Sequence, residues 1–257
     1  MIRYRELRYK ESMQKLERRK ERKEFISIII PAYNESGRIL PTLNKIDEYF
    51  KGRFKCFEII VVNDGSTDNT DDLVSKAKER IEYIKYLGYN VNKGKGYAIR
   101  QGVNISAGDI IVVSDADLST PIEDVEKLLV QYDNGYDIII GSRALEESDI
   151  VVRQPWWRVL MGKIFNRFVR FLLLEEFKDT QCGFKLFKGD IGRKIFKHAT
   201  VDRFAFDVEI LCLAKKAGYR IKEVPIRWVN SPDSKVKPIK DSLQMLKDLV
   251  KIRFRKV

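Results

Sequence analysis

From residue 25 to residue 140 the chain alternates short apolar runs with longer amphipathic stretches. The apolar runs, at 25–30, 57–62, 83–87, 110–113 and 136–140, have the length of strands and are rich in Ile and Val. Between them, 36–50, 68–80, 95–106 and 121–133 read as helices. Apolar strands alternating with helices imply a mostly parallel central sheet with helices on both faces, an α/β architecture. One helix start is marked clearly: Thr120-Pro121-Ile122-Glu123 has the form of a capping box with proline at the first helical position.

After residue 141 the rhythm changes. Segment 155–176 is amphipathic, with apolar residues at 160, 161, 164, 165, 168, 171 and 172 and cations at 158, 163, 167 and 170. Those cations rule out a spanning helix, which needs about 20 mostly apolar residues. A strand at 183–188, a helix at 205–217, a strand at 219–228 and a basic helix at 238–254 complete the reading. The expected organisation is a basic arm over 1–24, a catalytic domain over 25–234 and a basic C-terminal helix over 235–257.

Charge sharpens this division. Residues 1–24 hold ten Lys/Arg against five Glu, and residues 235–257 hold eight Lys/Arg against two Asp. These ends carry +5 and +6 of the net +12, so the body is nearly neutral. Basic ends on a neutral body point to an anionic surface as partner. No helix-turn-helix, RNP or zinc signature accompanies them, which argues against nucleic acid. The charged N-terminus has no secretory pattern. The three cysteines, Cys56, Cys182 and Cys212, form no CxxC pair and read as thiols in a reducing compartment. A single histidine, His198, leaves little room for Ser-His-Asp, Cys-His or zinc chemistry.

Polar clusters follow three of the parallel strands: Pro31-Ala32-Tyr33-Asn34-Glu35, Asn63-Asp64-Gly65-Ser66-Thr67-Asp68 and Asp115-Ala116-Asp117. The ligand crevice of an open α/β sheet lies at that edge, so the clusters are expected to converge. No GxGxxG follows the first strand, and Gly94-Lys95-Gly96 lacks the rest of a P-loop. A pyrophosphate ligand would need its charge balanced by a cation. Asp115 and Asp117, two residues apart, suit one hard divalent ion, Mg²⁺ or Mn²⁺.

Phe25-Ile-Ser-Ile-Ile-Ile-Pro-Ala-Tyr-Asn-Glu35, Val61-Val-Asn-Asp-Gly-Ser-Thr-Asp68, Asn92-Lys-Gly-Lys-Gly-Tyr-Ala98 and Ser114-Asp-Ala-Asp117 resemble the family 2 glycosyltransferases of GT-A fold. In the second half, Gly141-Ser-Arg143, Asp179-Thr-Gln-Cys-Gly-Phe-Lys-Leu-Phe187, Arg203-Phe-Ala-Phe-Asp-Val-Glu209 and Ser242-Leu-Gln-Met-Leu-Lys-Asp248 resemble the dolichyl-phosphate β-glucosyltransferases. The resemblance implies that Pro31, Ala32, Tyr33, Glu35 and Asp64 hold the nucleoside part of the donor, that Lys95 approaches it or the diphosphate, and that Asp115 and Ala116 also belong to the donor site. It makes Asp115 and Asp117 the metal-binding DXD pair. Arg143 and Arg158 would meet an acceptor phosphate, and Asp179 would lie near the donor sugar. With Asp117 and Arg143, Asp179 completes the expected catalytic set. Asp207 reads as either a site residue or a helix cap.

The resemblance thus implies inverting transfer of glucose from UDP-glucose to dolichyl or polyprenyl phosphate. With the basic ends and the amphipathic segment 155–176, a lipid acceptor leads to the expectation of membrane-facing amphipathic helices on an enzyme bound peripherally to the cytoplasmic face of a membrane. Eukaryotic members of the resembling family, by contrast, carry a membrane helix where this chain has its charged arm. A lipid phosphate is largely ionised at neutral pH and needs cations more than a base, in keeping with a chain so poor in histidine. The alternatives are a sugar hydroxyl as acceptor, which would want a carboxylate base such as Asp179 or Asp207, and GDP-mannose or UDP-N-acetylglucosamine as donor.

Overall fold

The apolar runs become neighbouring strands of one sheet. The computed structural model describes residues 22–152, 155–231 and 238–255. In chain order these form β1 (Ile26–Ala32), α1 (Ile39–Lys51), β2 (Phe57–Asp64), α2 (Thr70–Arg80), β3 (Ile84–Tyr89), α3 (Lys95–Ile105) and β4 (Ile110–Val113). A 3₁₀ turn (Ile122–Asp124) leads into α4 (Val125–Asp133), then β5 (Ile138–Ser142), β6 (Asp149–Val152) and α5 (Trp156–Leu172). The chain continues through β7 (Lys185–Lys188), α6 (Gly189–His198), α7 (Phe206–Lys216), β8 (Ile221–Pro225), β9 (Arg227–Val229) and α8 (Pro238–Phe254). Of the basic arm over 1–24, residues 1–21 lie outside the described residues, as do 235–237 and 256–257 of the C-terminal segment.

Seven strands pair in the order β3-β2-β1-β4-β7-β5-β8. All neighbours are parallel except β7, which runs antiparallel to both β4 and β5. This arrangement positions the site. The carboxyl ends of β1, β2, β4 and β5 open on one edge, and the reversed β7 brings its preceding loop, 179–184, to the same edge. One face of the sheet packs on α1, α2 and α4 through residues such as Ile28, Leu43, Phe50, Val74 and Leu128. The other packs on α3, α5, α6, α7 and α8 through Ile29, Val103, Phe165, Phe196, Leu211 and Leu249. The central strands are buried on both faces, which is why their sequences read as unbroken apolar runs.

The structure differs from the sequence reading in four places, one of them strand β6, which falls where no element was expected. The capping box at 120–123 does not form: Pro121 stands before a 3₁₀ turn and no side chain caps it. Helix α6 falls where no element was expected. Its two glycines and three surface cations resemble a turn, and Ile191, Ile195 and Phe196 bury one face only once the sheet is present. The strand expected over 219–228 is two strands. β8 pairs with β5, whereas β9 leaves the sheet to pair with β6.

Candidate active site

The loops after β1 and β2 are tied together before any ligand is considered. Asn34 adopts a left-handed φ of 54°. Its side-chain oxygen accepts from the Thr67 amide at 2.8 Å, and its own amide donates to Ser66 Oγ at 2.9 Å. Asp64 is buried, and its carboxylate accepts from the Lys93 amide (2.8 Å), the Gly94 amide (2.9 Å) and the Asn92 side chain (2.8 Å). Gly94 has φ +111°, and a Cβ there would sit 2.5 Å from the Asp202 carbonyl, so glycine is required. The turn delivers Lys95, the first residue of α3, into the cleft.

The acidic pair follows β4. Its turn passes through Leu118 with φ 46°, a strained value for a leucine, and is closed by the Ser119 amide donating to Asp117 Oδ1 at 2.9 Å. Thr42 Oγ1 holds the Ala116 carbonyl at 2.7 Å. Lys95 Nζ lies 2.5 Å from Asp115 Oδ1, and Arg38 Nη1 lies 3.8 Å from Asp117 Oδ2. On the far side Gly183 abuts Asp115, where a Cβ would stand 2.2 Å from Oδ2. Burial disfavours the charge on Asp115, but Lys95 prevails and holds the carboxyl below the usual range.

Among the described residues no group of three or more His, Cys, Asp or Glu is arranged to hold a metal. Two hard carboxylates on one turn nevertheless fit Mg²⁺ or Mn²⁺. These ions commonly take one or two carboxylates and complete their shell with substrate phosphates and water.

Arg143 follows β5 and is fixed by Asp179, with Nε to Oδ2 at 2.6 Å and Nη2 to Oδ1 at 2.9 Å. Asp179 also accepts from the Arg143 and Gln181 amides, so both its oxygens are committed. Burial works against both charges, yet each stabilises the other: the Arg143 pKa is raised and that of Asp179 lowered. The Arg143 guanidinium also lies 5.7 Å from the Trp228 ring centroid. Beneath the site Lys185 and Asp207 form a buried ion pair, and Lys185 donates as well to the Cys182 carbonyl. Burial pushes the Asp207 carboxyl up. His198 is exposed at the end of α6 and does not line the cleft.

One cleft of about 500 Å³ gathers Pro31, Ala32, Tyr33, Glu35, Asp64, Lys95, Asp115, Ala116, Asp117, Arg143 and Arg158. Asp179 instead lines an adjoining groove, beside Arg143. Sequence reasoning missed Arg38, Gln181, Arg203 and Trp228. Gln181 and Arg203 stand inside the resembling stretches, whereas nothing local marks Arg38 or Trp228. Of the five cations lining the cleft, Arg38 pairs with Glu35, Lys95 with Asp115 and Arg143 with Asp179. Arg158 and Arg203 have no carboxylate partner among the described residues. Arg158 stacks on Trp157, 5.3 Å from its ring centroid.

Comparison with known proteins identifies the family and the fold. The family model described as Glycosyl transferase family 2 matches residues 27–196. A dolichyl-phosphate β-glucosyltransferase from Dictyostelium discoideum is 38% identical over 243 residues, covering 90% of this chain and 74% of the relative. Its counterpart from Homo sapiens is 36% identical over 90% of this chain and 75% of the relative. Among solved structures, glucosyl-3-phosphoglycerate synthase from Mycobacterium tuberculosis in complex with phosphoglyceric acid superposes with TM-score 0.67 at 18% identity, over 91% of this chain and 82% of that one. Its complex with Mn²⁺, UDP and glucosyl-3-phosphoglycerate gives 0.65 at 18% identity over the same shares. A mannosyltransferase from Pyrobaculum calidifontis with GDP-Man and Mn²⁺ gives 0.61 at 19% identity, over 92% and 66%. At such identities these structures show a shared GT-A-like α/β fold.

Proposed function

The chain belongs to glycosyl transferase family 2, and from that membership we propose that it carries a sugar from a UDP-sugar to dolichyl or polyprenyl phosphate, with glucose the favoured sugar. The observation that carries this reading is a single cleft facing an acidic pair with a fixed arginine and two further cations that no carboxylate among the described residues neutralises. Relatives named for dolichyl phosphate and glucose, matched along nine-tenths of the chain, support it.

In this reading Pro31, Ala32, Tyr33, Glu35, Asp64 and Ala116 frame the nucleoside, and Lys95 and Arg203 face the diphosphate. A divalent ion held by Asp115 and Asp117 would stabilise the charge developing on the leaving diphosphate. Arg143, kept rigid by Asp179, and Arg158 bind the acceptor phosphate and aim one of its oxygens at the anomeric carbon. The phosphate, with a second pKa near ~6, arrives largely ionised, so no base is required. Attack opposite the leaving group inverts the anomeric centre and gives a β-linked product from an α-linked donor. A hydroxyl acceptor would need a free carboxylate base. Arg143 occupies both oxygens of Asp179, and Lys185 engages the buried Asp207, so neither serves well.

The same reading makes the protein a peripheral enzyme of an anionic, cytoplasm-facing membrane surface, with 25–234 as its catalytic unit and the basic ends as attachments. Among the described residues no helix is long and apolar enough to cross a membrane, and α5 presents an exposed apolar face.

The test is a panel of UDP-glucose, UDP-N-acetylglucosamine and GDP-mannose, each incubated with polyprenyl phosphate and Mn²⁺. Products are then partitioned into lipid and water. Lipid-bound glucose is expected. Sugar passed only to water-soluble hydroxyl acceptors would overturn the reading.

A further inference from the structure

Glu209 ends the stretch Arg203–Glu209 but does not line the cleft. It sits in the first turn of α7, 1% exposed, and its carboxylate reaches back along the chain instead of capping its own helix. It accepts from the Thr200 amide (2.9 Å), the Thr200 hydroxyl (2.8 Å) and the Val201 amide (2.8 Å). Arg255, just past α8, supplies a fourth donor and the balancing charge. The same guanidinium donates to the His198 carbonyl at 2.7 Å and so draws the end of α6 to this point. Burying a carboxylate is costly unless it is paired and hydrogen-bonded. Here both oxygens are engaged, and three of the four donors lie at residues 200 and 201.

The loop 200–203 held in this way meets the cleft twice. Arg203 lines it directly. The loop backbone is also the seat of α3. The Tyr97 amide donates to the Asp202 carbonyl at 2.9 Å. Arg100 binds the Asp202 carboxylate (2.5 Å) and the Ala199 carbonyl (3.2 Å). The fit is close: a Cβ at Gly96 would stand 2.5 Å from the Val201 carbonyl, as one at Gly94 would from that of Asp202. Between the two glycines stands Lys95, whose ammonium reaches Asp115.

We propose that Glu209, with Arg255, is a positioning residue for the donor's diphosphate: through loop 200–203 it fixes where Arg203 and Lys95 meet that group. The pair acts from behind the loop, in a separate depression of about 410 Å³ that also takes in Asp202 and Arg203. The assignment rests on the nucleotide-sugar reading above and adds to it a dependence on a contact between α7 and the end of α8.

The test uses the full chain. UDP affinity in the presence of Mn²⁺ is measured by calorimetry, and the KM of donor and acceptor are measured separately. Glu209→Gln keeps the size of the side chain but gives up its charge and one acceptor. It is expected to weaken UDP about tenfold and to raise the UDP-glucose KM to match. The polyprenyl phosphate KM should stay within about twofold, since Arg143 and Arg158 do not touch the loop. Arg255→Gln, at a less buried position, should weaken UDP about threefold and gives the same reading if Glu209→Gln does not fold. Amide hydrogen exchange should quicken over 200–203 and 94–98 in both variants. Leu128→Ala, a core change on the other face of the sheet, should lower thermal stability without altering UDP affinity.

UDP affinity unchanged in both glutamine variants, or weakened equally by Leu128→Ala, overturns the assignment. So does an acceptor KM that rises as much as the donor KM. If the unaltered protein prefers GDP, the uridine reading falls and GDP replaces UDP in the same comparison. If it binds neither nucleotide, the donor reading falls. Exchange over 94–98 then decides whether Glu209 seats α3: faster exchange in Glu209→Gln supports it and unchanged exchange overturns it.

Discussion

Gly183 leaves no space for a methyl group beside Asp115, so the position of the acidic pair depends on a residue that has no side chain. Gly183→Ala should therefore displace the Asp115 carboxylate while leaving the strands intact. A loss of about a hundredfold in kcat with unchanged far-ultraviolet dichroism is expected, the scale on which a 1 Å misplacement acts. Full activity would show that the contact is slack. The cysteines make a second prediction. Burial pushes the Cys182 thiol up to about 11 and the Cys212 thiol up to about 12, whereas Cys56 is exposed. Iodoacetamide at pH 8 should label one thiol per native chain and three after unfolding. Asp68 makes a third. Partial burial opposes its charge, but donors from Thr70 and Ser36 outweigh that and hold its carboxyl at about 2, against an ordinary 3.8. A depressed carboxyl stabilises the fold above its unfolded pKa and loses that contribution as pH falls toward the folded value. Asp68→Asn should thus lose about 1 kcal/mol at pH 6, discounted for solvent screening, and lose less as pH falls from 4 to 2. Chemical denaturation at several pH values measures it.

Helix α5 is the element whose surface does not match its surroundings. Only Phe165 and Val169 are buried, while Trp156 is 77% and Phe171 86% exposed. Arg158, Lys163, Arg167 and Arg170 are interspersed among these apolar residues, the composition of a helix that lies in a lipid interface. Beside it α8 exposes Leu243, Val250 and Phe254. Vesicles with anionic lipid should therefore sediment the protein, and high salt should weaken the binding by screening the cations. The double variant Leu160→Ser, Phe171→Ser should reduce binding at least fivefold at either salt concentration. Unchanged sedimentation of that variant would remove α5 from the contact. The sequence analysis read this segment as amphipathic. Its inner face became identifiable only when the tertiary structure, α8 included, supplied partners for Phe165 and Val169.

At the scale of the whole molecule, the site is assembled by one edge of one sheet. The groups proposed to face donor and acceptor reach that edge from loops far apart in sequence, and the reversed β7 supplies the segment that holds Arg143. If a divalent ion joins the two sides, EDTA should abolish transfer and Mn²⁺ or Mg²⁺ should restore it. Asp117→Asn should lower kcat by a hundredfold or more with the fold retained. Full turnover in EDTA would reject the metal. UDP affinity by calorimetry separates the two sides. Arg203→Gln is expected to weaken UDP about tenfold, and Arg158→Gln to raise the acceptor KM with little change in UDP affinity.

Much of this architecture could be read in the chain because burial on both faces of a parallel sheet demands unbroken apolar runs. Turn residues also mark where those runs end. The clusters 31–35, 63–68 and 115–117 were legible for that reason: each follows a strand, and parallel strands end on one side. Asp179 was legible as a site candidate but not as the partner of Arg143, since an ion pair across 36 residues leaves no local pattern. Arg38 and Trp228 were invisible, one in the turn just before α1 and the other in a strand that leaves the sheet. Helix α6 escaped notice because its apolar face has meaning only against Phe187 and its neighbours. Local sequence determined which segments become strands and helices and which carry charge. The tertiary structure alone decided which charges neutralise one another and which remain for a substrate, because Coulomb partners are chosen by distance in space.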